Sequence, residues 1–285
     1  MRWFRWRQKP EFCILLPVHR PPDLLPYALQ SILAQTEQIF ELHIICDGAP
    51  PETETAARRI ARRDRRITAH VHPKGPRNGE IYRDPVIRET QASIICQIAD
   101  DDLWFPDHLR TIGRLLQSCD FGNTLQVDAG PRGELGPFVC DLSDSSIVSK
   151  MLGQAFNFFG PTACGYRRAA YLALPEGWTP APADIWPDLF MWRKFLRQPG
   201  LSARTAQVFT NLHIASPRHR GLSMLQRARV NAEWLRHISC ETLRGNLLLF
   251  LQKHFLAEGV RTQVSYPAFF CPQEDFAGSA ATDKL

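Results

Sequence analysis

An apolar run at residues 93–99 ends in three consecutive carboxylates, Asp100, Asp101 and Asp102, and continues directly into Leu103, Trp104, Phe105, Pro106 and Asp107. A run of strand length that ends in clustered acids sets negative charge at the carboxyl edge of a sheet. Open α/β folds bind their ligands at that edge, and hard cations find oxygen ligands there. A metal-bound phosphate suits such an edge. One Asp is enough to cap a helix starting near Pro106. Two further adjacent carboxylates repel one another unless a cation compensates, which favours a divalent metal over a cap. Trp104 and Phe105 read as core anchors.

The chain around this motif alternates. Residues 12–17 read as a buried strand, and residues 22–36 carry Leu25, Ala28, Leu29, Ile32 and Leu33 at helical spacing. A strand at 42–46, a helix at about 54–66, a strand at 67–71 and a helix at 82–91 follow before the acidic strand. This alternation predicts an α/β chain with a Rossmann-like, mostly parallel sheet flanked by helices. The next helix is expected near Pro106 with Leu109, Ile112, Leu115 and Leu116 inward, so that the acids occupy a strand-to-helix loop. From 121 to about 217 many Gly and Pro residues predict short strands and binding loops. Beyond Gly221 the pattern is helical again, with Leu222, Leu225, Ala228, Val230 and Leu235 and then residues 243–256. The expected units are a basic, aromatic arm (1–10), a catalytic domain (11–217, in halves 11–116 and 117–217), a C-terminal helical appendage (218–275) and a disordered tail (276–285).

At 285 residues, with 44% hydrophobic and 22% charged, the chain can bury a large core. Its net charge of +5 owes much to the arginines between Arg58 and Arg66 and to the N-terminal arm. The arginines share a helix with the apolar stripe Ala57, Ile60 and Ala61, so they read as a solvated face and no nucleic-acid partner is expected. The 8 cysteines include no C-x-x-C pair and read as reduced core residues. No stretch approaches the ~20 apolar residues that span a bilayer. No signal-peptide core begins the chain, so a cytoplasmic location is expected. The arm with Trp3, Phe4, Trp6, Arg2, Arg5 and Arg7 is a frayed terminus or a peripheral contact with the inner face of the membrane. The chain holds neither G-x-G-x-x-G nor a Walker A sequence, which excludes those two phosphate cradles.

Pro17 at the end of the first strand, the helix end Gln30 to Thr36, Cys46-Asp47-Gly48, and the block from Ile98 to Asp107 resemble, in content and spacing, the family 2 glycosyltransferases of A-type (GT-A) fold. The resemblance covers residues 11–116 well and loosens beyond. It implies inverting transfer from a nucleotide-sugar donor, with UDP as the default nucleotide. The implied acceptor is a glycan or lipid-linked molecule, as in polysaccharide biosynthesis, and the implied cofactor is Mn2+ or Mg2+. Asp47 is then expected at the nucleoside, beside Pro17 and His19, and Lys74 and Arg83 at the diphosphate. The family's acidic motif reads D-x-D-D. Here Ala99 replaces the first Asp, Asp100 holds the variable position, and Asp101 is the expected metal ligand with Asp102 next to it. His213 matches a histidine that completes the metal shell or touches the diphosphate in some relatives, and a structural role for it stays open; as a ligand, one imidazole with two carboxylates suits Mn2+ better than Mg2+. The acceptor base maps to Asp188, with Asp184 as substitute. Pro187 takes the place of the family's Glu, and a helix-cap role for Asp188 stays open. His70 and His72 share a strand face without an acid nearby in sequence and read as structural. Two other readings compete. One is a catalytically degenerate GT-A-like nucleotide-binding module, suggested by Ala99 and Pro187. The other is a nucleotidyltransferase, which would usually carry a glycine- and basic-rich loop after the first strand, absent here.

Overall fold

A computed structural model describes residues 9–214, 219, 221–260 and 262–271. The expectations for residues 1–8, for the tail 276–285 and for the boundary at 217 lie outside them. Four parallel strands form one half of a nine-stranded sheet: β1 (Phe12–Val18), β2 (Phe40–Asp47), β3 (Ile67–His72) and β4 (Ile94–Gln97), in spatial order β4-β1-β2-β3. The crossovers carry α1 (Leu25–Leu33), α2 (Pro51–Arg63) and α3 (Arg83–Glu89). Strand β1 is buried along almost its whole length because both faces of the sheet are covered. Phe12, Ile14 and Leu16 join one core with Leu25, Ile44 and Leu109. Cys13 and Leu15 join the other, with Tyr166, Trp192 and Phe195.

The other half of the sheet is mixed. β6 (Phe121–Ala129) pairs antiparallel with β7 (Glu134–Phe138) and β8 (Cys164–Arg167) and parallel with β9 (Ala203–Phe209), while β8 joins it to β4. β5 (Leu103–Trp104) pairs with β10 (Asn211–Leu212), and β11 (Val264–Ser265) with β7. Strand β5 separates the acids from the following helix, so the acids sit in a turn between two strands. That helix, α4 (His108–Leu115), starts two residues later than Pro106, and its N-cap Asp107 makes no side-chain capping bond. The acid triplet therefore does not cap it.

The remaining helices are α5 (Ser145–Gly153), α6 (Arg168–Leu172), α7 (Pro187–Leu196), α8 (Met224–Ser239) and α9 (Glu241–Leu251), the last continuing as a π-helical turn, Gln252–Ala257. Ser223 and Gln226 form a capping box that fixes the start of α8. The helices expected as an appendage share a third core with the sheet: Val230, Trp234, Ile238, Leu247 and Phe255 pack with Leu103, Phe105, Leu125 and Val127. Five of the cysteines, Cys13, Cys46, Cys96, Cys119 and Cys164, are buried. Among the described residues no helix is long and apolar enough to cross a membrane.

Candidate active site

Because β1, β2 and β4 run in one direction, their carboxyl ends bring His19 and Arg20, Asp47, and the acid triplet to one edge. Asp100, Asp101 and Asp102 are all at most 5% exposed. Each has a different partner. Arg20 places Nη1 2.7 Å from Asp101 Oδ2 and Nε 3.3 Å from Asp100 Oδ1. Arg227, on α8, donates to the same Asp101 oxygen at 2.8 Å, and Asn231, one turn on, donates to the Asp101 backbone carbonyl at 2.7 Å. Asp102 accepts from the Thr162 hydroxyl and, at 2.8 Å, from the Ile214 amide. It thereby ties the segment before β8 to the segment that follows β10 and bears His213. Asp100 Oδ2 is buried with no hydrogen-bond partner.

Burial, reinforced by the neighbouring carboxylates and only partly offset by Arg20, pushes Asp100 up to about 7. Burial also raises Asp102 to about 6, against the pull of His213. For His213, burial works downward, but Asp102 and the bond to Asp128 outweigh it and lift the imidazole to about 9.

A second wall faces the triplet. His213 Nδ1 lies 2.8 Å from Asp128 Oδ1, at the end of β6, and Gln126 Nε2 is 3.1 Å from each. The Gly160 amide donates to Gln126 Oε1 at 2.6 Å, and a Cβ at Gly160 would stand 3.9 Å from Asp188 Oδ2. Asp188 lies in the first turn of α7 and accepts from Asn157 Nδ2 at 2.8 Å and from the Leu189 amide at 2.9 Å. Burial holds its carboxyl above the usual range. Asp184 is exposed in the turn before α7 and lines a separate cavity of about 210 Å³ with Trp186 and Arg193.

At the far end of the edge, the buried Asp47 accepts from Lys74 Nζ and from the Gly75 amide, both at 2.6 Å. The loop carrying them wraps the carboxylate closely: Gly79 sits at φ +65°, and a Cβ there would fall 2.5 Å from Asp47 Cγ. Arg77 reaches across to the Ile185 carbonyl at 3.0 Å. Arg83 is buried, with its guanidinium over the Trp178 ring and donating to the Asn78 carbonyl. His19 is pushed down by burial and by Arg20. Pro17 lies in β1 beside Ile45.

Sequence reasoning missed Arg20, Gln126, Asp128, Asn157, Arg227 and Asn231. Arg20 follows His19 and Asp128 closes a strand, so strand-end position could have flagged both. Nothing in the pattern of α8 announces that Arg227 and Asn231 reach Asp101.

The sequence profile of glycosyl transferase family 2 matches residues 13–172, more than half of the chain. The chain belongs to this family. It is a glycosyltransferase, and solved structures share its GT-A fold. Residues 1–349 of S. aureus TarS superpose with a TM-score of 0.53 at 15% identity, over 87% of this chain and 78% of that one. Mannosyltransferase PcManGT from Pyrobaculum calidifontis, solved in complex with GDP-Man and Mn2+, gives 0.53 at 15% identity, over 88% and 84%. The same TarS fragment has been solved with UDP-GlcNAc. Against the longer S. aureus TarS structure this chain spans 43% of the relative's length. No curated protein matches the chain.

Proposed function

We propose that this glycosyltransferase moves a sugar from a nucleoside diphosphate, with UDP as the first candidate, to a hydroxyl of a glycan or lipid-linked acceptor, with inversion at the anomeric carbon. The observation that carries the reading is the separation of roles along one edge. Asp47 ends β2 and the cation-paired Asp101 follows β4, with β1 between them along the sheet edge, and Asp188, with raised proton affinity, lies on the opposite wall. Residues 11–116 form the donor half, 117–217 the acceptor half, and the helices of 218–275 complete the donor site through Arg227 and Asn231.

The donor chemistry of the acid edge fits a hard divalent ion. It offers carboxylate oxygens on Asp101 and Asp100, of which Asp100 Oδ2 is buried and unpartnered, and an imidazole on His213. Asp102, with both oxygens engaged, positions Thr162 and Ile214. Among the described residues the acids do not bring three protein donors to one point, so diphosphate and water would supply the remaining ligands, as is usual for Mg2+ and Mn2+ beside phosphate. Asp101 and Asp100, with His213, would hold Mn2+ or Mg2+ there, and the ion would supply charge neutralisation for the departing diphosphate.

Asp188 accepts the acceptor's hydroxyl proton, the new bond forms between that oxygen and the anomeric carbon, and the bond from that carbon to the diphosphate oxygen breaks. Asn157 and the Leu189 amide hold the carboxylate in place for this transfer. Arg20 and Arg227, which pair with Asp101, can turn bidentate faces to the diphosphate as it enters. Lys74 would leave Asp47 for the diphosphate while Asp47 takes up the nucleoside.

The proposed setting is the cytoplasmic face of a membrane, where a lipid-linked acceptor would be met and where the basic, aromatic arm would rest. The test is transfer by two variants. Asp188→Asn is expected to lose transfer while still binding nucleotide, and Asp184→Asn to keep it; the opposite pattern makes Asp184 the base. Release of pyrophosphate from a nucleoside triphosphate, in place of nucleoside diphosphate from a nucleotide sugar, would overturn the reading altogether.

A further inference from the structure

At the amino-terminal end of the parallel strands, away from the acid triplet, three unlike donors meet. Cys13 of β1 pairs in register with Glu41 of β2, and Leu15 with His43, so Cys13, Glu41 and His43 stand on one face of the sheet. A sulfur, a carboxylate oxygen and a ring nitrogen from these residues all lie within 4.8 Å of one another, the one such group of three among the described residues. His43 Nε2 is 3.4 Å from Glu41 Oε1 and buried without a hydrogen-bond partner. That gap is long for a hydrogen bond. It matches the roughly 3.3–3.7 Å between two ligands on one tetrahedral ion with bonds near 2.0–2.3 Å.

The surroundings orient these donors. The other ring nitrogen, His43 Nδ1, lies 2.9 Å from His70 Nε2 on β3. A neutral His70 ring can accept from that nitrogen. With the proton on His43 Nδ1, the Nε2 lone pair faces Cys13 and Glu41, as in metal sites where a ligating histidine donates its second N–H to an outer partner. Glu41 is itself held by the Thr90 hydroxyl. A cavity of about 240 Å³ lined by Glu41, His43, His70 and Thr90 opens beside the cluster, giving an entry path and room for a water as fourth ligand.

We propose that Cys13, Glu41 and His43 form a second divalent-metal site, with His70 orienting His43, and that it takes Zn2+. A thiolate, an imidazole and a carboxylate suit a borderline-soft ion, whereas Mn2+ and Mg2+ prefer the oxygen-rich, thiolate-free chemistry of the acid edge. Thiolate and carboxylate together carry two negative charges, which a divalent ion cancels in this buried place. Binding forms the metal–sulfur bond and releases the thiol proton to water.

Co2+ tests the site on the full chain after chelator treatment, in excess Mg2+. The expected result is binding of one Co2+ per chain with a thiolate-to-cobalt charge-transfer band, abolished by one equivalent of Zn2+. The band persists in Asp101→Asn, is lost in Cys13→Ser, and is lost or strongly weakened in His43→Gln, which serves if Cys13→Ser does not fold. A folded wild type with no such band, or a band that survives both substitutions, overturns the proposal.

Discussion

Removing the Arg227 guanidinium tests whether the C-terminal helices belong to the active site. Its Nη2 lies 2.8 Å from Asp101 Oδ2, with side-chain exposures of 14% and 7%, so solvent screens the pair little. A hydrogen bond to a charged group contributes about 1.5–3 kcal/mol. Arg20 remains 2.7 Å from the same oxygen in Arg227→Ala, so Asp101 keeps a cation and the loss falls in the lower half, about 1.5–2 kcal/mol. In a chain of this size each kcal/mol shifts the melting temperature by about 2–4 °C, which gives a fall of about 3–8 °C. The same residue faces the proposed diphosphate, so calorimetry should show nucleoside diphosphate binding weakened about tenfold or more, or about 1.4 kcal/mol. Arg236→Ala is the control on the same helix. Its partner is Glu233 at 2.6 Å, and with the Arg236 side chain 52% exposed solvent screens the pair, so it contributes little. Melting and binding in Arg227→Ala that match those of Arg236→Ala would refute the reasoning and return α8 to a structural cover.

Other expectations follow from single contacts. Thr162→Val leaves Asp102 with the Ile214 amide alone and should cost about 1–3 kcal/mol in thermal or denaturant unfolding. Gly79→Ala must adopt φ near +65° and place a methyl against Asp47. It should cost about 1–2 kcal/mol from backbone strain alone and weaken nucleotide binding more than it lowers stability. His108 is fully buried, stacked on Trp104, and pushed down by burial to about 3 from an ordinary 6.5. The unfolded chain therefore binds more protons between those values: the stability contribution is present above pH 6.5 and is lost as pH falls toward 3. His108→Gln should flatten that acid limb in melting curves between pH 7 and 4.

The parallel half was legible because each of its strands and helices carries its own period, and the apolar run before Asp100 marked the sheet edge. Boundaries moved by a few residues where local chemistry decided them, as at α2, which starts on Pro51 rather than near 54. The mixed half was not legible in detail, since β5 and β10 are two residues each and exist only by pairing with one another. Asp102 shows a different limit. Three adjacent acids look alike in sequence, and only the fold reveals that one is spent on Thr162 and Ile214 while another meets two arginines. Arg227 and Asn231 were hidden because a polar face on a C-terminal helix looks solvated until its partner is known. The cysteine cluster was missed for the same reason: Cys13, Glu41 and His43 meet through strand register, and His70 looked isolated along its own strand.

The most direct test of the account is titration calorimetry of UDP and GDP, each with Mn2+, against the wild type, Asp101→Asn and Asp188→Asn. The account predicts that one nucleotide binds the wild type and Asp188→Asn with equal affinity and loses most of that affinity in Asp101→Asn. Equal binding by wild type and Asp101→Asn would contradict it, because the acid edge would then not hold the donor diphosphate.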